Sequence, residues 1–238
     1  MDLGLNGKVG IVAAASKGLG RSSAAALAAE GCKLVINSRD HDAIDAVAAE
    51  LPGETVAVAG DMSDPSTPQR LVDAAVERFG ALHIVVANNG GPPPGKALDV
   101  DDAAIEAAVN ANAIASIRLI RAAVPHMRDA GWGRICCITS AAVKQPIPFL
   151  SLSNLSRTGL WAWAKTAAMD LAEENITLNL ACPGLHATDR IKQLGGGGGR
   201  MGDPDDFGKA VAFLCSEPAK FITGTALQID GGATSGLL

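Results

Sequence analysis

Short runs of β-branched and other apolar residues recur along the chain, and between them lie longer Ala-rich stretches with polar residues at helical spacing. The runs KVGIVA (8–13), KLVIN (33–37), ETVAVA (54–59), LHIVVA (82–87), GRICCIT (133–139), ITLNLA (176–181) and ALQID (226–230) predict strands. The stretches 20–31, 42–51, 67–80, 101–130 and 159–174 have the length and spacing of helices. GIVA and IVVA are apolar throughout, as in strands buried on both faces. Strand then helix, repeated, implies right-handed crossovers and a parallel sheet covered on both sides. The pattern therefore predicts an α/β chain with a doubly wound (Rossmann) fold of about seven parallel strands, as a single domain over residues 1–238.

Composition narrows the function. With 238 residues, 48% of them hydrophobic, the chain can bury one large core. A formal net charge of −5 and a pI near 5.3 argue against nucleic acid, whose phosphates demand clustered Lys and Arg. MDLGLNGKVGIVAAAS lacks the basic and apolar regions of a signal peptide, and no unbroken apolar run reaches the roughly 18 residues of a membrane span. A soluble, cytoplasmic protein without a membrane partner is expected. Cys32, Cys136, Cys137, Cys182 and Cys215 are odd in number, have no CxxC spacing and sit mostly in apolar segments. They predict buried thiols in a reducing compartment, with no disulfide and no metal. His41, His83, His126 and His186 show no HxxxH spacing, which makes packing or solvated roles the default. The low-complexity tract GGGGG at 195–199 is expected to be mobile.

In such sheets ligands bind beyond the carboxyl ends of the strands, where strand order reverses. After the first strand, Gly18 and Gly20 lead into a helix whose free N–H groups suit a pyrophosphate, although a plain tight turn needs the same glycines. After the second, Asn37, Ser38 and Arg39 supply no carboxylate for a ribose 2′-hydroxyl but do supply a guanidinium, with Lys17 as a second cation. A solvated surface arginine is the alternative; two converging cations favour the 2′-phosphate of NADP.

Read in order, AAASKGLG (13–20), GDMSD (60–64), ANNGG (87–91), VNANA (109–113), CITSA (137–141), ACPGLHATDR (181–190) and FITGTALQIDGG (221–232) resemble the motifs of the short-chain dehydrogenase/reductases. The resemblance covers essentially the whole chain and is closest to 3-oxoacyl-carrier-protein reductase-like members. It implies a nicotinamide cofactor, hydride transfer with a carbonyl or acyl-thioester substrate, and a homotetramer. It also assigns Ala14, in place of the first motif glycine, with Ser16, Lys17, Gly18, Leu19 and Gly20 to the pyrophosphate turn. Ser38 and Arg39 fall at the ribose, Asp61 and Met62 at the adenine, and Asn88 and Gly90 beside the cofactor. Pro183, Gly184 and Thr188 match the nicotinamide-side loop. Asn112 matches the asparagine that holds a relay water, and Ser140 the serine that binds the substrate carbonyl.

The family's Tyr-x-x-x-Lys falls on Ser153 and Arg157, and the chain contains no tyrosine at all. The thirteen-residue step from Ser140 to Ser153 fits the family spacing, and a four-residue step keeps both side chains on one helix face. The chemistry differs. A phenol with a reference pKa near 10 is a usable acid once a cation lowers it, whereas a serine hydroxyl is far weaker and arginine stays protonated. Arg157 can still bind the nicotinamide ribose and supply a positive field. Lys144 and His186 are candidate substitute donors, against a solvated role for Lys144 and loop packing for His186. After Thr188, where the family carries a helical lid, a glycine tract predicts an open substrate side. Two functions follow: an NADP-dependent oxidoreductase with an atypical active site, or a non-catalytic NADP-binding sensor or oligomeric scaffold. The helices at 101–130 and 152–174 have more small and apolar positions than one sheet face needs, which fits assembly into a homotetramer.

Overall fold

The computed structural model describes residues 1–195 and 200–236. Strands β1 (Val9–Val12), β2 (Lys33–Ser38), β3 (Thr55–Ala59), β4 (Ile84–Ala87), β5 (Gly133–Ile138), β6 (Ile176–Pro183) and β7 (Ala226–Ile229) form one sheet in the order β3-β2-β1-β4-β5-β6-β7. Every pairing is parallel, as the apolar runs predict. Registers such as Val12 to Val86 and Ile138 to Ala181 keep the carboxyl ends level, so the following loops emerge along one edge. Strand order reverses between β1 and β4, the place where such sheets open a crevice.

Helices α1 (Gly18–Ala29), α2 (His41–Glu50), α3 (Thr67–Phe79), α4 (Asp102–Val109), α5 (Ala115–Asp129) and α6 (Ser151–Leu171) correspond to the predicted helical stretches. α6 starts eight residues before the 159–174 pattern does. Two helices escape that pattern: α7 (Asp189–Gln193) and α8 (Pro204–Leu214). α8 carries its own start signal, an Asp203 side chain accepting from the Asp205 N–H and Pro204 in its first turn. Its Gly208 masks the signal by propensity, yet is required: a Cβ there would lie 2.3 Å from the Ser22 carbonyl oxygen of α1.

Alternate strand residues feed two cores. Val9 and Ile11 pack with Leu71, Leu119 and Leu160 beneath α3, α5 and α6. Val12, Leu34 and Ile36 pack with Leu27, Ile44 and Phe207 beneath α1, α2 and α8. The helical run Asp102–Asp129 is long and apolar enough by composition to cross a membrane, a feature that a search for unbroken apolar runs misses. In the fold, its Leu119, Ile120 and Ala123 are buried in the first core. All five cysteines are free and buried.

Arg134, wholly buried in β5, ties the sheet to the loop after α8. Its Nε donates to Ser216 O (3.1 Å), Nη1 to Gly133 O (2.8 Å) and Asn175 O (3.0 Å), and Nη2 to Glu217 Oε2 (3.2 Å). The Trp132 ring lies 4.2 Å from the guanidinium carbon. Hydrogen bonding by Trp132 comes first, ahead of Lys220 and Arg134, in holding the Glu217 carboxyl below its usual range.

Candidate active site

At the switch point, a cleft of about 1910 Å³ runs from the end of β2 to the loop after β6. It begins at the glycine turn. Ala14 takes a left-handed backbone (φ +48°), a conformation that suits the glycine usual there in the family and is strained for alanine. Gly18 is also left-handed (φ +58°). A Cβ on Gly20 would lie 2.3 Å from Ala14 O and 2.7 Å from Asn88 Nδ2, so only glycine lets α1 start this close to the strand. Asn88 Nδ2 donates to Ala14 O at 3.2 Å and pins the turn from β4. The first residues of α1 have no side-chain cap, which leaves N–H groups and the helix dipole directed at a ligand. An orphaned helix start and a close-packed glycine cradle are what a dinucleotide pyrophosphate requires.

Toward β2 the cleft is lined by Lys17, Ser38 and Arg39. Lys17 and Arg39 are exposed and take part in none of the hydrogen bonds or ion pairs found among the described residues' side chains. Ser38 is turned inward, its Oγ donating to Asp40 O at 2.7 Å. Asn37 bridges the ends of β2 and β3 through Val58 O (2.9 Å) and Gly60 O (3.0 Å), so its amide is already bound. Asp61 and Met62 form the far wall; the Asp61 carboxylate accepts from Ser63 N at 2.8 Å.

At the other end Asn112, Ser140, Ser153 and Arg157, from three separate elements, line the cleft together. Asn112 lies in a π-helical turn, Asn110–Ile114, that joins α4 to α5. Such turns interrupt a helix where a side chain has another task. Its Nδ2 donates to Ala108 O at 3.1 Å, while its Oδ1 is buried without a partner. Asn110 is committed elsewhere, donating to Ser63 O (3.3 Å) and accepting from Arg118 (3.1 Å). Ser140 follows β5 and its Oγ accepts from Ala142 N at 3.1 Å. Ser153 and Arg157 share the inward face of α6, both buried. Arg157 Nη1 donates to Ile138 O at 2.9 Å and Nη2 to Asn89 O at 3.5 Å. Burial, then the nearby Arg190 charge, pushes the Arg157 guanidinium down to about 10.

Pro183, Gly184 and Thr188 also line the cleft, Thr188 packing 3.6 Å from the Cβ position of Gly18. Gly184 passes so close to Asp230 that a Cβ would sit 2.6 Å from that residue's Cβ.

Two alternatives are narrowed and one expectation is corrected. Lys144 does not line the cleft; its Nζ stands 4.3 Å over the Trp161 ring. His186 lines it but is 4% exposed, with Nδ1 3.3 Å from Gly184 O and its ring edge-on to Phe207 at 5.2 Å, the contacts of a packing residue. The lid is not wholly replaced by glycine: α7 forms after Thr188, and Ile191, Gln193 and Leu194 face the cleft. The expected mobility of the tract concerns residues 196–199, which lie outside the described residues.

Sequence reasoning missed Asn89, whose Nδ2 donates to Ser116 Oγ at 2.9 Å, and Arg190, whose Nη2 donates to Pro92 O at 2.7 Å. The only signal for Arg190 was a cation two residues after Thr188.

A doubly wound sheet that opens at its switch point onto a glycine turn and an uncapped helix defines a Rossmann-type α/β protein. The chain belongs to the short-chain dehydrogenase/reductase family. The profile described as Enoyl-(Acyl carrier protein) reductase matches residues 13–234. Dehydrogenase/reductase SDR family member 4 of Bos taurus is 32% identical over 98% of this chain and 89% of its own length. L-sorbose reductase from Gluconobacter frateurii, solved with NADPH and L-sorbose, superposes with a TM-score of 0.92 at 27% identity over 100% of both chains. 7α-Hydroxysteroid dehydrogenase, solved with NADH and 7-oxo glycochenodeoxycholic acid, gives 0.93 at 28% identity, covering 100% of this chain and 98% of that one.

Proposed function

We propose that this family member is an NADP-dependent oxidoreductase that exchanges hydride between NADP(H) and a carbonyl or secondary alcohol, 3-oxoacyl thioesters among the candidates, through an atypical active site. The observation that carries the reading is the single cleft that joins an uncapped α1 and two unpaired cations at one end to Asn112, Ser140, Ser153 and Arg157 at the other. NADPH in the L-sorbose reductase structure supports the cofactor assignment, while NADH in the hydroxysteroid dehydrogenase leaves the discrimination to Lys17 and Arg39. When bound, the cofactor supplies a hydride to the carbonyl carbon, whose oxygen then takes up a proton.

In this reading Gly18, Leu19 and Gly20 hold the pyrophosphate with Ala14 and Ser16, and Asp61 and Met62 flank the adenine. Asn88 and Gly90 support the cofactor from β4, and Pro183, Gly184 and Thr188 hold the nicotinamide side. Ser140 donates to the carbonyl oxygen. Arg157 holds the ribose and stabilises negative charge developing on that oxygen. Asn112 Oδ1 anchors a water that can carry a proton inward. Ser153 orients that water or the carbonyl and is too weak an acid to act alone.

A second reading, a non-catalytic NADP-binding sensor or scaffold, is favoured by one observation: the position of the family's tyrosine holds a serine whose hydroxyl makes no hydrogen bond to the described protein. The proposal includes a cytoplasmic location, which suits five free buried thiols. It also includes a homotetramer, supported by Leu155 and Met169, 51% and 64% exposed on α6. A cofactor titration set beside an NADPH-oxidation screen over β-keto thioesters, ketones, aldehydes and quinones tests the reading. Tight NADPH binding with turnover of at least one carbonyl is expected; tight binding with none selects the sensor, and no binding contradicts both.

A further inference from the structure

Two guanidiniums meet the loop after β4 from different elements, Arg157 from α6 and Arg190 from α7. Arg157 reaches Ile138 O (2.9 Å) and Asn89 O (3.5 Å). Arg190 Nη2 reaches Pro92 O (2.7 Å), and its Nε and Nη2 lie 3.2 Å from the Cβ position of Gly91. Each guanidinium has five N–H donors, so most remain unused by the described residues. Neither takes part in any of the ion pairs among those residues.

Among the described residues, the carboxylates lining the same cleft are occupied or remote. Asp40 caps α2, Asp101 caps α4, Asp61 accepts from Ser63 N, and Asp189 pairs with Lys192. Asp99 is exposed on the outer loop. Arg157 is 7% exposed, and a cation so buried is costly until an anion joins it. Burial and the field of Arg190 already weaken its hold on its proton. Ribose hydroxyls would satisfy its donors without neutralising its charge, and the pyrophosphate has its own site at the start of α1. The cleft that both cations line also carries apolar residues, Pro93, Ile147, Phe149 and Leu185 among them.

Resting on the reductase reading above, we propose that the carbonyl substrate carries a carboxylate, received by Arg190 with Arg157 behind it, so that the site selects oxo acids over neutral carbonyl compounds. Arg190 is the specificity-determining residue. The apolar residues of the cleft take the remainder of the acid.

The test uses the NADPH-loaded full chain, with quenching of NADPH fluorescence as the readout and no turnover required. The probes are 2-oxobutanoate and 4-oxopentanoate, each beside its methyl ester. At least one acid is expected to bind about tenfold or more tighter than its ester, the size of one charge-assisted contact. Arg190→Gln should bring that ratio below about threefold while changing NADPH affinity less than about threefold, as expected for an interaction made to substrate alone. Equal affinities of acids and esters for the wild type would overturn the proposal without need of a variant. So would an Arg190→Gln protein that loses NADPH affinity but keeps the acid preference, since the guanidinium would then serve the cofactor's phosphates. Failure of NADPH to bind the wild type rejects the reductase reading and this inference with it, whereas NADPH binding without acid preference rejects the inference alone.

Discussion

Arg134 and Arg157 are both buried arginines on or against the central sheet, and they differ in what surrounds them. Arg134 donates to three backbone carbonyls and the Glu217 carboxylate, and Trp132 covers its face. Arg157 donates to two carbonyls and pairs with no carboxylate among the described residues, while the charge of a second guanidinium, Arg190, works against its own. Burying a charge is tolerated when hydrogen bonds and counter-charge replace water. Arg134 comes closer to that condition: burial still lowers its hold on its proton, but the Glu217 charge opposes the shift, so its role is to fasten β5 to the loop after α8. Arg157 does not meet it among the described residues. Arg157 lines the cleft and Arg134 does not, which is how a structural and a ligand-binding arginine, both buried, can be told apart.

The largest effect that sharpens the contrast is catalytic. Ser153→Tyr combined with Arg157→Lys gives α6 a phenol and an ammonium at the family's spacing. Turnover of a neutral β-keto ester should rise by about 10²–10⁴-fold, the usual contribution of a placed general acid. An unchanged rate in NADPH-oxidation assays would mean that the absent phenol does not limit the site.

Next in size is stability. Arg134→Ala strips the donor from three carbonyls and the partner from the half-exposed Glu217, and leaving buried acceptors unsatisfied costs about 1–3 kcal/mol each. Thermal unfolding should fall by roughly 10 °C for a chain of this length. A loss within a degree or two would break the comparison, because Arg134 would then be no better fastened than Arg157.

A smaller effect is expected at a third arginine. Arg39 is exposed at the far end of the cleft, and its side chain bonds to no group among the described residues. Arg39→Ala should lower the preference for NADPH over NADH about tenfold or more, the value of a charge-assisted hydrogen bond to phosphate, and leave thermal stability unchanged. Equal affinities of the wild type for the two cofactors would remove the basis for NADP.

Much of this was legible in the sequence, for identifiable reasons. The seven strands were readable because apolar β-branched runs in a doubly covered sheet have few alternatives. The glycine turn and the α6 pair were readable because their spacing is fixed by backbone geometry. α8 was harder, since Gly208 lowers its propensity in order to let α1 approach. Lys144 and His186 were plausible donors by position along the chain, but orientation decides, and Trp161 and Phe207 had claimed them. The importance of Arg190 arises only in three dimensions, where α7 brings it against Gly91 and Pro92.

On this reading, Arg157 keeps its charge for a ligand at the expense of the fold. Its folded-state pKa, near 10, lies below the ordinary guanidinium value. The folded state therefore gives up that proton more readily than the unfolded chain does. Charge on Arg157 opposes folding in full at neutral pH, and the penalty is relieved only as pH rises above about 10. The direct measurement is the melting temperature of Arg157→Met beside the wild type at pH 7, each with and without saturating NADPH. Without NADPH the variant should melt close to the wild type, because removing an unpaired buried cation offsets the loss of its hydrogen bonds to Ile138 O and Asn89 O. With NADPH the wild type should gain several degrees and the variant markedly less, reflecting the weaker binding. A variant that melts well below the wild type without cofactor, yet gains as much from NADPH, would show that Arg157 serves the fold as Arg134 does.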